Sequence, residues 1–284
     1  MTRAALSSIL LVLSLVACAP KSAPIKSQNT LESAIDKQMG GVGTCVILAD
    51  THSGDVLYQY NADKACNAPL PPCATFNIVT DLIGLDQGLV TPTTVAKWDG
   101  SPQPVRAWQT DADITKAYKN QIDWWFQRLA GAIGHDRYAT ALNQFDYGNK
   151  TLAGPLPLFW QGPHSGGGLS ISTRQQVDFL RRLYTGKLPV KPETAAFVEK
   201  MMVDETRTGP NPNGGQFTVS GETGSCPSQA DGSRGVGWWV GRLKTPTRDM
   251  VFAASVEAAD GPPGEEIEQT LKDIFADGGL WPQD

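Results

Sequence analysis

Residues 71–78 read PPCATFNI, and the apolar run that follows as far as Leu89 has helical spacing. Two prolines close a loop just before the helix begins, so its first turn is presented at a helix N-terminus. A catalytic helix of this kind would carry a nucleophile in that turn, but this helix carries Cys73 and Ala74. The stretch therefore predicts a helix start that borders a site yet offers neither hydroxyl nor amine at the nucleophile position, Ala74.

The segments around this helix alternate between strand and helix patterns. A hairpin is predicted over 43–50 and 56–60, with Gly54 in its turn. Helical spacing, in one case after the capping residue Ser172, predicts helices over 75–87, 121–133, 137–144, 173–184 and 192–202. Strand patterns return at 215–221, 235–243 and 250–258, and an amphipathic helix follows at 264–276.

Strands at both ends of a helical middle predict one antiparallel sheet covered by helices, with a helical part on one side. A cleft is expected at the seam between the two parts. The loops 99–111 and 206–214 are rich in Pro, Gly and polar residues, and we expect them to border it.

Composition narrows the possible functions. The chain has 284 residues, 40% hydrophobic and 19% charged, enough for one large domain or two interleaved small ones. A net charge of -5 and the lack of a Lys/Arg block argue against nucleic acid as a partner. His52 and His135 fall in a turn and after a helix, and no metal-ligand spacing occurs, so we expect neither metal nor other cofactor.

The N-terminal residues indicate export. Arg3 precedes an apolar run over 9–16, shorter than the roughly 20 residues that span a bilayer, which predicts a secretory signal. LVAC at 15–18 resembles a bacterial lipoprotein box, in which Cys18 receives a lipid; an ordinary signal peptide is the alternative. We therefore expect a signal peptide (1–17), a tether (18–30) and a membrane anchor on the periplasmic face of the bacterial cell envelope. The absence of an acidic residue directly after Cys18 favours the outer membrane.

Three motifs in chain order carry a family resemblance: PPCATFNI, FDYGN at 145–149 and GETG at 221–224. They resemble the landmarks of the serine β-lactamase and penicillin-binding superfamily, and Tyr-Gly-Asn points to class D. DLIGLDQGLV, WWFQRLAGAIG, FLRRLYTGKLP and GVGWWVGRL are also similar to class D sequences, so the resemblance covers about 40–275. An unrelated exported α/β domain is the alternative.

The resemblance implies a serine β-lactamase-like α/β (α+β) fold. Its five-stranded antiparallel sheet would be flanked by helices and joined to an all-helical subdomain. The domain would span 31–284, with its sheet part at 31–68 and 205–284 and its helical part at 69–204.

The family's catalytic side chains are absent from the matching positions. The resemblance places the nucleophilic serine at Ala74 and the basic lysine, a carbamate in class D, at Asn77. The proton-shuttling serine aligns with Gln121, the lysine of Lys-Thr-Gly with Glu222, and a carboxylate-binding basic residue near Gly264. Loss of the nucleophile alone costs on the order of a million-fold in turnover. The resemblance therefore implies an inactive pseudoenzyme with no catalytic residue, acting by binding.

Charge reversal suggests what the cleft would bind. An acidic side chain about 4 Å from a penicillin carboxylate would repel it by about 4 kcal/mol, and acids would attract a cation such as a peptide amine. The partner would be a peptidoglycan-derived or other cationic ligand, or an envelope protein. These residues could instead be solvated or paired internally in an unused site. The predicted ligand-binding residues are Asp123, Tyr147, Asn149, Glu222, Thr223 and Gly224.

Four cysteines outside the signal suggest disulfides, and the residues alone allow three pairings. The resemblance places the helix start opposite the GETG strand, which implies Cys73–Cys226 and leaves Cys45–Cys66. A free Cys73 would instead suggest a weak or unconventional β-lactam hydrolase or acyltransferase, with His164 as the candidate base. A purely structural envelope protein is a third possibility.

Overall fold

The structure is a computed structural model that describes residues 28–41, 43–61, 63–162, 166–209, 215–228, 234–259 and 261–282. The predicted signal peptide, Cys18, most of the tether and His164 lie outside the described residues. In the part that is described, no helix is both long and apolar enough to span a membrane.

One antiparallel sheet of six strands joins the two ends of the domain, in the order β2-β1-β6-β5-β4-β3. The first strand pairs with the last, Ile47 lying opposite Ala253, as the sequence pattern predicted. The strands are β1 (Thr44–Asp50), β2 (Val56–Tyr60), β3 (Val203–Thr208), β4 (Gln216–Cys226), β5 (Gly235–Lys244) and β6 (Asp249–Ala258).

The sixth strand corrects the expected count of five. Residues 203–208 form an edge strand on β4, with Thr206 opposite Thr218. The prediction that a loop from 206 borders the cleft is therefore wrong for 206–208. The stretch VDETRT escaped prediction because an edge strand needs few apolar residues, and only Val203 is apolar here.

Eight α-helices are found among the described residues. The predicted helices are confirmed within a few residues, and Ser172 caps one of them with a full capping box. The first and third helices below were not predicted. They are α1 (Gln28–Met39), α2 (Asn77–Asp86), α3 (Ile114–Lys119), α4 (Asp123–Ile133), α5 (His135–Gln144), α6 (Thr173–Tyr184), α7 (Pro192–Met202) and α8 (Gly264–Asp277).

The sheet is buried on both faces. Along β1, Ile47 and Ala49 enter the core shared with the helical part, whereas Val46 and Leu48 enter the core beneath α1 and α8. Successive strand residues point to opposite faces, so two covered faces require a nearly continuous apolar strand. This arrangement holds the sheet rigidly between two helical layers.

Both disulfides implied by the resemblance are present. Cys45 pairs with Cys66, with 5.1 Å between their Cα atoms, and Cys73 pairs with Cys226 at 5.6 Å. The second bridge joins Cys73, in the 3-10 turn (Cys73–Phe76) that begins the α2 segment, to the last residue of β4. It therefore connects the helical part to the sheet at the predicted seam.

We expect loss of the seam disulfide to destabilise the protein more than loss of the other one. Cys73 and Cys226 are 153 residues apart, against 21 for Cys45 and Cys66. Chain entropy then gives about 5 kcal/mol for the longer loop and about 3 kcal/mol for the shorter one. Urea unfolding of the two double Cys→Ala variants measures the difference, and equal losses would contradict this ranking.

Candidate functional site

The start of the α2 segment lies directly against strand β4. Cys73 has a left-handed backbone (φ 53°), and its N–H donates to the Trp160 carbonyl at 3.0 Å. A Cβ added to Gly224 would lie 2.9 Å from Thr75 N and 3.1 Å from Ala74 N, so only glycine fits there. Gly224 is thus a close-approach residue that lets β4 meet the helix start.

Phe76 anchors this first turn from inside. Its ring packs against Tyr138, Tyr147, Phe159 and Trp160, with centroid separations of 5.2 to 5.7 Å. Rings packed edge to face and stacked at these distances stabilise beyond their buried area. The position of Ala74 at the seam is therefore fixed by the core as well as by the disulfide.

A cleft of about 290 Å³ opens at this seam. Its lining combines aromatic rings, carboxamides and two acids, and none of the described lining residues is basic. The predicted loop 99–111 contributes Trp108 to this lining. The lining residues are Ala74, Asn77, Trp108, Gln121, Asp123, Phe126, Gln127, Trp160, Gln161, Ser225, Cys226, Pro227 and Glu265.

A second, smaller cavity of about 90 Å³ adjoins the cleft at Gln121. Glu222 and Thr223 line this second cavity and not the cleft. Gln121 borders both cavities, and its amide donates a hydrogen bond to the Thr223 hydroxyl. The backbone of Gln121 is left-handed (φ 48°), a costly conformation for a residue other than glycine. This side chain connects the helical part to β4 at the boundary between the cavities.

Of the six predicted ligand-binding residues, Asp123 lines the cleft, whereas Tyr147, Asn149 and Gly224 line neither cavity. Tyr147 is fully buried against Phe76 and Phe179. Asn149 donates to the Gly168 carbonyl at 2.8 Å and accepts from the Ser170 N–H at 3.1 Å. In this structure both support the wall behind the cleft, and their contact with a ligand stays a prediction.

Glu222 is buried and behaves differently from the expected repelling carboxylate. It is 4% exposed, and its Oε1 accepts from Asn77 Nδ2 at 3.4 Å. Burial outweighs the hydrogen bonds from Tyr118 and Asn77 and raises the pKa of Glu222 well above its usual range. The neutral acid is favoured, and it faces the second cavity. The expected repulsion of a penicillin carboxylate by Glu222 thus loses its basis.

Asp81 is a buried acid that the sequence pattern did not reveal. It lies one helical turn after Asn77, on the same face of α2, and is fully buried. Neither of its oxygens has a hydrogen-bond partner among the described residues. Burial, with a further contribution from Glu222, raises its pKa well above the usual value.

Asp123 supplies the negative charge of the cleft. It is the first residue of α4, where the helix dipole favours an anion. Burial raises its pKa to about 6, so the carboxylate is mostly ionised at neutral pH. No basic side chain pairs with it within the described ranges, and Glu265 in the first turn of α8 is the other acid of the lining.

The structure contradicts a thiol nucleophile at Cys73, because this residue is fully buried and disulfide-bonded.

Several lining residues of the cleft were not singled out by the sequence, although WWFQRL and the 99–111 loop contain three of them. They are Trp108, Phe126, Gln127, Trp160, Gln161, Ser225 and Glu265. Within the described ranges, no group of three His, Cys, Asp or Glu side chains could hold a metal ion.

Comparison with known proteins places this geometry in a family. The penicillin binding protein transpeptidase domain matches residues 44–276. The probable β-lactamase YbxI of Bacillus subtilis is 30% identical over 92% of this chain and 91% of its own. The regulatory protein BlaR1 of Bacillus licheniformis is 26% identical over 77% of this chain and 34% of its own.

A solved structure agrees with these matches. The class D β-lactamase FUS-1 (OXA-85) from Fusobacterium nucleatum subsp. polymorphum superposes with a TM-score of 0.76. Its sequence is 26% identical, and the superposition covers 89% of this chain and 99% of that one.

We expect Asp81→Asn to make stability less sensitive to pH. A carboxyl whose pKa is raised by folding holds a proton that the unfolded chain releases above about pH 4. Stability is therefore fully present below that pH and falls as pH rises, by up to about 1.4 kcal/mol per unit for each such group. Between about pH 4 and pH 7 the variant should therefore lose less stability than the native protein.

Urea unfolding at several pH values measures this effect. Asp178→Asn, at an exposed position of α6, is the matched control and should keep the native pH slope. Identical slopes for the Asp81 variant and the native protein would mean that Asp81 is ionised in the folded state.

Proposed function

This chain belongs to the penicillin-binding protein transpeptidase family, with class D β-lactamases among its relatives, and we propose that it binds a ligand in the family's cleft without hydrolysing β-lactams. The observation that carries the proposal is Ala74 at the helix start. Its methyl group lines the cleft where a nucleophile would be presented, and it has no atom that can attack a carbonyl.

The neighbouring positions support the same conclusion. The Asn77 amide is not basic and is engaged by Glu222. The Gln121 amide is engaged by Thr223. The positions that the resemblance assigns to the base and the proton shuttle therefore offer no proton acceptor, and residues of a catalytic unit lose their effect together.

The start of α8 also leaves no room for a basic side chain at the position the resemblance assigned to one. A Cβ at Gly264 would lie 2.7 Å from Gly224 N and from the Trp238 carbonyl oxygen. The Gly264 N–H instead donates to Ser225 Oγ at 2.8 Å. A cationic anchor for a substrate carboxylate is thus sterically excluded there, which argues against β-lactams as ligands.

Retention of the cleft argues for binding. Its walls are joined by a disulfide and an aromatic cluster, and it remains open at about 290 Å³. A relative in the family, BlaR1, is named as a regulatory protein, so this fold is also found in a protein that is not called a β-lactamase. A cleft that lacks the catalytic side chains but is still held open by a disulfide and an aromatic cluster favours a binding role over an unused scaffold.

We further propose that binding takes place in the bacterial cell envelope. The apolar run at 9–16 and LVAC at 15–18 support export and lipidation of Cys18, with 18–30 as a tether to the membrane. Two disulfides favour an oxidising compartment. The periplasmic face, with outer-membrane sorting, fits these features.

We expect no covalent adduct when the purified protein is incubated with a large excess of benzylpenicillin. Intact mass spectrometry without reducing agent should show the unmodified chain with two disulfides. Hydrolysis followed by absorbance should equal the buffer rate, because nucleophile and base are both missing. An active class D β-lactamase treated in parallel shows that an acyl-enzyme would be detected.

A mass shift equal to one penicillin would overturn the proposal. Peptide mapping of that adduct would identify the nucleophile and favour the weak or unconventional hydrolase.

A further inference from the structure

We propose that the cleft binds an amino sugar, with the ammonium group at Asp123, the hydroxyl groups on the carboxamides of the wall and the sugar ring against Trp108. This inference rests on the proposed function, because it assumes that the cleft is a binding site. It adds the chemical class of the ligand, which is carried by the combination of side chains in the lining.

The carboxamides provide the first argument. Asn77, Gln121, Gln127 and Gln161 all line the cleft, and each carboxamide offers two N–H donors and a carbonyl acceptor. Gln127 and Gln161 are half-buried, and their side-chain carboxamides make no hydrogen bond to any described residue. Partly buried polar groups require partners. A ligand with several neutral hydroxyls, each both donor and acceptor, supplies them.

The aromatic residues provide the second argument. Trp108 is half-buried, and its Nε1 donates to the Asn120 carbonyl at 2.9 Å. Its own carbonyl accepts from Trp124 Nε1 at 2.8 Å, and Trp160 stacks on Phe76 with centroids 5.5 Å apart. These contacts fix the rings before a ligand arrives, and a preorganised aromatic wall suits the apolar face of a sugar ring at low entropic cost.

Charge selects an amine over a neutral sugar. Asp123 and Glu265 are the acids of the lining, and no described lining residue is basic. A half-buried carboxylate without a counter-ion gains from a ligand cation that pairs with it. A simple alkylamine would satisfy the acid but would leave the two free carboxamides without partners.

Size limits the ligand to about one ring and its substituents. The cleft holds about 290 Å³, at the lower end of the roughly 300–1,000 Å³ typical of small-molecule sites. Together these features favour a hexosamine with a free amino group over a long peptide or a neutral polysaccharide.

Isothermal titration of the purified full-length protein near pH 7 tests the inference with two sugars that differ in charge. Glucosamine, with its free amine, should bind at least tenfold more tightly than N-acetylglucosamine. Asp123→Asn should reduce affinity for the amine sugar at least tenfold and leave the acetylated sugar unchanged. Gln127→Leu should weaken both sugars alike, because it removes a hydroxyl partner and no charge.

Glu266→Gln is the matched control, since Glu266 is exposed on α8 beside Glu265 but does not line the cleft. Equal affinity for the two sugars, or an effect of Glu266→Gln as large as that of Asp123→Asn, would overturn the inference. No sugar binding together with binding of a muramyl-peptide amine would overturn the inference and leave the proposed function intact. A penicillin adduct would instead overturn the proposed function, whatever the sugars do.

Discussion

The contact between Gly224 on β4 and the backbone at Ala74 is the constraint on which the site depends. A Cβ at Gly224 would collide with the backbone nitrogens of Ala74 and Thr75, so strand and helix start meet without side chains between them. The Cys73–Cys226 bridge links the same two segments covalently. Two residues before Cys73, the Pro71 carbonyl accepts a hydrogen bond from Trp238 Nε1 at 2.8 Å. The cleft is the space left in front of this junction, so its shape follows from the backbone.

Burial divides the acids near this junction into two kinds. Asp81 and Glu222 are buried outside the lining of the cleft, and loss of hydration favours their neutral forms. Asp123 lies at the N-terminus of α4 and partly in contact with solvent, and its pKa of about 6 leaves it ionised at neutral pH. From residue type alone, both Asp123 and Glu222 were expected to present a negative charge to a ligand. The structure leaves Asp123, with Glu265 on the rim, as the source of negative charge.

We propose that this chain keeps the family's fold with different side chains at the catalytic positions. The backbone superposes on a class D β-lactamase with a TM-score of 0.76 at 26% identity. The differences that we propose are local: Ala74 and Asn77 line the cleft where the resemblance places a serine and a lysine, and the start of α8 excludes a side chain at Gly264. A core built on both faces of the sheet and two disulfides do not depend on catalytic side chains, so such replacements leave the scaffold intact.

The sequence by itself determined most elements, the pairing of the chain ends, the family and the absence of a hydroxyl at Ala74, because these follow from local periodicity and residue identity. The resemblance also gave the disulfide pairing. Only the tertiary structure decided that Tyr147 is buried, that Glu222 faces a second cavity, that Asp81 is an isolated buried acid and that 203–208 pairs as a sixth strand. These properties depend on burial and on pairing between distant segments, which a local pattern of residues does not specify.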